Sequence, residues 1–216
     1  MTTEELDAAP AVRGRWVLAL ALVGALVFTI GFVVELRCAV GSCPDPTVRR
    51  LFRLDALGAL PRLFTTGLFL AVAVLAALAA LRSAGRARWW WAGVVAGGAA
   101  LTVAKAVSSH SALERDDGRL ATLIGALLVT AIGLSLLRWA GRAWSVPGTT
   151  PIVVALGLYA AAAIGLDQIT MAVARLHHPW VALAIATFVE EGGEAVTALV
   201  LLVVVSRWVP RRRSQS

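Results

Sequence analysis

Residues 16–34 read WVLALALVGALVFTIGFVV, nineteen consecutive positions without a charge. At about 1.5 Å of rise per residue, a helix of this length covers about 28 Å, close to the ~30 Å of hydrocarbon in a bilayer. Five more apolar blocks follow, at residues 63–81, 89–107, 120–137, 152–174 and 180–208. None alternates with a period of two, and in lipid only helices or closed barrels satisfy their own backbone, so each block is a candidate transmembrane helix. Trp16, Trp89, Trp180 and Trp208 stand at block ends, where an aromatic belt belongs. The expected fold is all-α: a polytopic membrane helix bundle with six transmembrane helices. It fills residues 16–208, between an acidic tail over residues 1–15, expected to be disordered, and a basic tail over residues 209–216. The first block is too long for a signal-peptide core, and no small-residue cleavage site follows it, so it reads as a retained helix.

Composition agrees. Hydrophobic residues make up 59% of the 216 and charged residues 15%, against about half and about a quarter in a soluble domain. Mean hydropathy is +0.79, which excludes a disordered chain and an ordinary soluble enzyme. The net charge of +7 does not point to nucleic acid, because the arginines occupy short connections between apolar blocks, where topology accounts for them. With six spans, both termini share a side. That side holds 11 arginines and the opposite side 8, with Lys105 left out as lying inside a block. The positive-inside rule therefore places both termini in the cytoplasm. Cys38 and Cys43 then face outward, where a small disulfide loop can form. With no further Cys or His beside them, zinc is not expected there. Gly93 and Gly97 form a GxxxG, and Gly157, Ala161 and Gly165 repeat the small-residue spacing, both marks of close helix approach.

The informative residues are ionisable ones inside the blocks. Glu190 lies ten positions after Trp180, about 15 Å into the membrane, with Glu191 and Glu194 beside it. Each ionised acid at that depth costs about 3 kcal/mol even on a lenient scale, so these acids belong on the bundle interior. Carboxylates this close share protons. Asp167, Lys105, His110 and Glu35 fall in the same half of the bilayer, while the other half is apolar. This one-sidedness suggests a polar cavity open to the outside. A Lys105–Asp167 ion pair would make both residues cheaper to bury. His177 and His178 read as solvated turn residues before Pro179.

The run Leu51-Phe52-Arg53-Leu54-Asp55, continued by Leu60-Pro61-Arg62-Leu63-Phe64, resembles a segment of an uncharacterised family of bacterial multi-pass membrane proteins. In that family a similar LD…LP…F stretch precedes a helix, a later helix ends in an acidic pair followed by His-Glu, and the last helix carries Glu-Glu-x-x-Glu. Glu190, Glu191 and Glu194 match the last motif, and His110 matches the histidine. The acidic pair falls instead on Ala104 and Lys105, and Ser111 replaces the second Glu. The resemblance implies a bacterial inner (plasma) membrane protein. Where the family's acids and histidine hold a metal, it implies that Lys105 stands in place of a cation here. It implies no reaction.

Three functional classes follow. The first is a proton- or cation-handling site of Glu190, Glu191, Glu194 and Asp167 in an outward-facing cavity. The second is a non-catalytic bundle whose buried charges tie helices together, or that docks a membrane protein partner or a second copy in the bilayer. The third is a metal-dependent hydrolase in which His110, Glu190 and Glu194 hold a divalent metal ion. No nucleophile elbow, P-loop, HExxH or dinucleotide fingerprint is present in the sequence.

Overall fold

The computed structural model describes residues 3–107, 119–176 and 180–210. These form helices only: α1 (Thr3–Ala39), α2 (Pro46–Phe52), α3 (Leu60–Arg82), α4 (Gly85–Val107), α5 (Arg119–Ala143), α6 (Thr149–Ala174) and α7 (Trp180–Trp208). Five of them, α1 and α3 to α6, are long and apolar enough to cross a membrane. At 29 residues α7 is long enough too, but Glu190, Glu191 and Glu194 in its middle keep it outside that apolar class.

The reason lies in its position. α7 packs on α1, α3 and α6, so protein rather than lipid surrounds its acids. The remaining contacts run α1 to α3, α3 to α4, α4 to α5 and α5 to α6. The six long helices thus make a closed ring, with α3 and α7 also touching across it. α5 is the outlying member, with none of its most apolar stretch buried; the Trp90 indole N–H ties it to α4 by donating to the Leu137 carbonyl at 2.8 Å.

The tail was expected over residues 1–15; α1 begins at Thr3. Of the basic tail, residues 211–216 lie outside the described residues. Of the GxxxG pair, Gly93 lies in a close contact, since its Cβ would be 3.2 Å from Leu137 of α5, whereas Gly97 does not; the close approach of α3 and α4 falls at Gly98. A Cβ at Gly98 would lie 3.2 Å from the Ala73 Cα, whereas at Gly97 it would meet nothing within 4 Å. Gly98→Leu is therefore expected to destabilise the bundle by about 1–3 kcal/mol through overpacking. Gly97→Leu should leave it unchanged, as read from the thermal unfolding midpoint in detergent.

The bundle is divided along its length. At one end, Phe69, Val72, Ala76, Trp90, Val94, Ile152, Leu156, Leu201 and Val205 make a continuous apolar core. At the other end the segment between α1 and α3 folds over the top. Asp45 caps α2 by accepting the Thr47 N–H at 2.8 Å, a bond that holds its carboxyl below the usual carboxylate range. Cys38 and Cys43 are joined in a disulfide. Leu54 is fully buried against Phe28 and Ala195, and Phe64 meets Phe28 edge-on. The LD…LP…F segment is thus the lid-like turn that seals this end and starts α3 on Pro61.

Candidate functional site

Beneath that turn lies a buried cluster of charges. Lys105, near the end of α4, is 7% exposed. Its ammonium lies 3.0 Å from Glu191 Oε2 and 2.8 Å from Glu194 Oε2, and it also donates to Glu191 Oε1 at 3.1 Å. Glu191 is 1% exposed. The Tyr159 hydroxyl of α6 donates to Glu194 Oε2 at 3.2 Å, and its ring is fixed edge-on against Phe69. One ammonium thus faces two carboxylates, and one phenol hydrogen-bonds the second of them.

The cation expected to pair with Asp167 is found elsewhere. Lys105 takes Glu191 and Glu194 as its partners, a correction that follows from side-chain direction. Helical side chains lean toward their own N-terminus. Lys105 closes a helix running toward this end, so it leans into the bundle. Glu191 and Glu194 stand on a helix running the opposite way, so they lean up to meet it. Asp167 accepts instead from the Gln168 amide at 3.0 Å and contributes its charge beside Glu190.

Glu190 is 6% exposed and lies one turn before Glu194 on α7, beside Thr170 of α6. Among the described residues, the charges acting most strongly on it are all carboxylates: Glu191, Asp167 and Glu194. The three acids of α7 therefore serve two different settings, two clasping Lys105 and one surrounded by like charge.

Arg62 was counted in the sequence only as a connection arginine, yet it is 2% exposed. Its Nε donates to the Lys105 carbonyl at 2.6 Å and its Nη1 to the Asp55 carbonyl at 2.9 Å. It joins the covering turn, α3 and the end of α4, and so sets the height of Lys105. Tyr159, the single tyrosine of the chain, was also missed. A lone phenol in the middle of an otherwise aliphatic span was the available signal.

The expected polar cavity exists only in part. A cleft of about 510 Å³ opens at this end, lined by Glu35, Arg49, Arg53, Asp55, Trp180 and Thr187 among others. It stops at Thr187, three positions before Glu190, and none of the three acids of α7 lines it. Arg53 pairs there with Asp55 at 2.9 Å and with Glu35 at 3.9 Å. For the candidate metal set of His110, Glu190 and Glu194, the histidine lies outside the described residues, as do His177 and His178. Among the described residues no three His, Cys, Asp or Glu are grouped to hold a metal ion.

Fold and site together define a membrane protein of several helical spans with a buried ion-pair cluster beneath the turn that covers one end. No protein-family model, no curated protein and no solved structure matches the chain.

Proposed function

We propose that the chain is a bacterial plasma-membrane protein of six spans with both termini cytoplasmic, and that it binds and releases a proton at Glu190. The cleft would then face outward and deliver the proton past Thr187. The observation that carries this reading is the setting of Glu190: a buried carboxylate whose strongest charged neighbours are three other carboxylates. Carboxylates gathered in a low-dielectric interior do not all ionise, so the group calls for a proton or a small cation. Lys105 is already engaged by Glu191 and Glu194, so it is committed to those two acids rather than to Glu190.

Proteoliposomes with a trapped pH dye test the proposal. After an external acid step, the wild-type protein should speed internal acidification over empty vesicles. Glu190→Gln should lower that excess by about tenfold or more, the scale of a lost proton-transfer group, while its unfolding midpoint stays within a few degrees of wild type. No excess over empty vesicles, or equal rates in Glu190→Gln, would leave the acids a structural role.

That second reading has its own observation. Lys105, Glu191, Glu194 and Tyr159 link α4, α7 and α6 through bonds of 2.8–3.2 Å, an arrangement sufficient to fix helix register without any transport.

A further inference from the structure

The cleft at the covered end is followed along α7 by a second hollow. Immediately below it, between α1 and α7, a groove of about 600 Å³ is lined by Gly24, Phe28, Val189, Gly192 and Val196 among others. On α7 the two adjoin directly, since Thr187 lines the cleft and Phe188 the groove. On α1 the boundary is Phe32, whose ring meets that of Phe188 at 4.7 Å. One seam between the same two helices is therefore polar above and apolar below. Along α7 it runs from Trp180 to Leu199, about 29 Å, nearly the full depth of the hydrocarbon.

The polar head of the seam has a sign. Arg53 is engaged by Asp55 and Glu35. Arg49 lines the cleft beside it, and Arg49, Arg50 and Arg53 together line an adjoining hollow of about 390 Å³ on the same short helix. Among the described residues neither Arg49 nor Arg50 has a carboxylate within ion-pair distance, and both are exposed. Three guanidiniums against two carboxylates leave this head positive. Guanidinium is the side chain best shaped to hold phosphate oxygens. The Cys38–Cys43 disulfide borders the cleft and holds the connection that carries α2, so the head is pre-organised.

We infer that the α1/α7 seam is a binding site for one anionic phospholipid, its phosphate on Arg49 and Arg50 and one acyl chain in the groove beside Gly192. The site shares the cleft with the proton reading but none of its acids: none of Glu190, Glu191 and Glu194 lines either hollow. The groove alone would accept any acyl chain; the charge above it selects the headgroup.

Native mass spectrometry of the detergent-released protein tests this with phosphatidylglycerol and phosphatidylcholine of matched chains. Wild type should retain a single phosphatidylglycerol at least tenfold over phosphatidylcholine. Arg49→Gln/Arg50→Gln, two exposed positions, should abolish that preference while keeping the fold. A Cβ added at Gly192 meets nothing within 4 Å and the position lines the groove, so Gly192→Leu should occupy the groove and lose retention of both lipids. Equal retention of the two lipids by wild type would overturn the inference. So would a preference that survives the double arginine change, or retention unaltered in Gly192→Leu.

Discussion

Lys105→Met is expected to cost about 3–5 kcal/mol of stability, the scale for removing one partner from a buried ion pair. The loss comes from what is left behind. Glu191 and Glu194 would keep their carboxylates at 1% and 5% exposure with no ammonium at 3.0 and 2.8 Å to compensate them. Tyr159 can offer its hydrogen bond to Glu194 alone. The combined change Lys105→Met/Glu191→Leu/Glu194→Gln should recover most of the loss. It removes the charges together, and Gln at position 194 still accepts from Tyr159. Thermal unfolding followed by tryptophan fluorescence in detergent checks both. A Lys105→Met protein as stable as wild type, or a triple variant no better than the single, would remove the ion-pair cluster from the account of how the helices are held.

Arg62→Leu carries the second large effect, about 3 kcal/mol, from two charge-assisted hydrogen bonds to buried carbonyls. The Lys105 carbonyl belongs to the last turn of α4, where carbonyls lack helical partners; Arg62 supplies one at 2.6 Å. Its other arm reaches Asp55 at 2.9 Å, so a single side chain pins the covering turn to α4. Arg62→Lys should restore little, because one ammonium does not reproduce a planar fork aimed in two directions. Hydrogen exchange should show faster exchange in the last turn of α4 and in the turn around Leu54. Exchange unchanged at both places would mean that packing by Leu54 and Pro61 suffices.

Much of the architecture is legible in the chain because lipid imposes one rule on every span. The blocks at 63–81, 89–107 and 152–174 fall inside α3, α4 and α6, since apolar length alone defines such helices. The block at 180–208 coincides with α7. Yet only packing tells why three acids are tolerated there: α1, α3 and α6 surround it. The short helix α2 escapes an apolar scan because seven residues with two arginines carry no membrane signal.

The site was half legible. That Glu190, Glu191 and Glu194 should face inward follows from the cost of placing charge in lipid. Which cation meets which acid does not. Depth counting puts Lys105 and Asp167 level, but it ignores that side chains on antiparallel helices lean in opposite directions, and that lean brings Lys105 to Glu191. Arg62 looks like any arginine between spans, because burial of a guanidinium by backbone carbonyls leaves no trace in a local pattern. The glycine motif was legible only in part: a Cβ at Gly93 would lie 3.2 Å from Leu137, but one at Gly97 would meet nothing within 4 Å. Spacing identifies small faces, but the neighbour at 3.2 Å, Ala73, decides that Gly98 rather than Gly97 lies in the contact.

The central claim is that Glu190 carries an exchangeable proton beside the Lys105 cluster. The infrared carboxyl spectrum of the protein in lipid, followed through a pH titration in wild type and Glu190→Gln, addresses it directly. The expected result is a protonated-carboxyl band that changes with pH in wild type and is missing in Glu190→Gln. Identical spectra for the two proteins would contradict it.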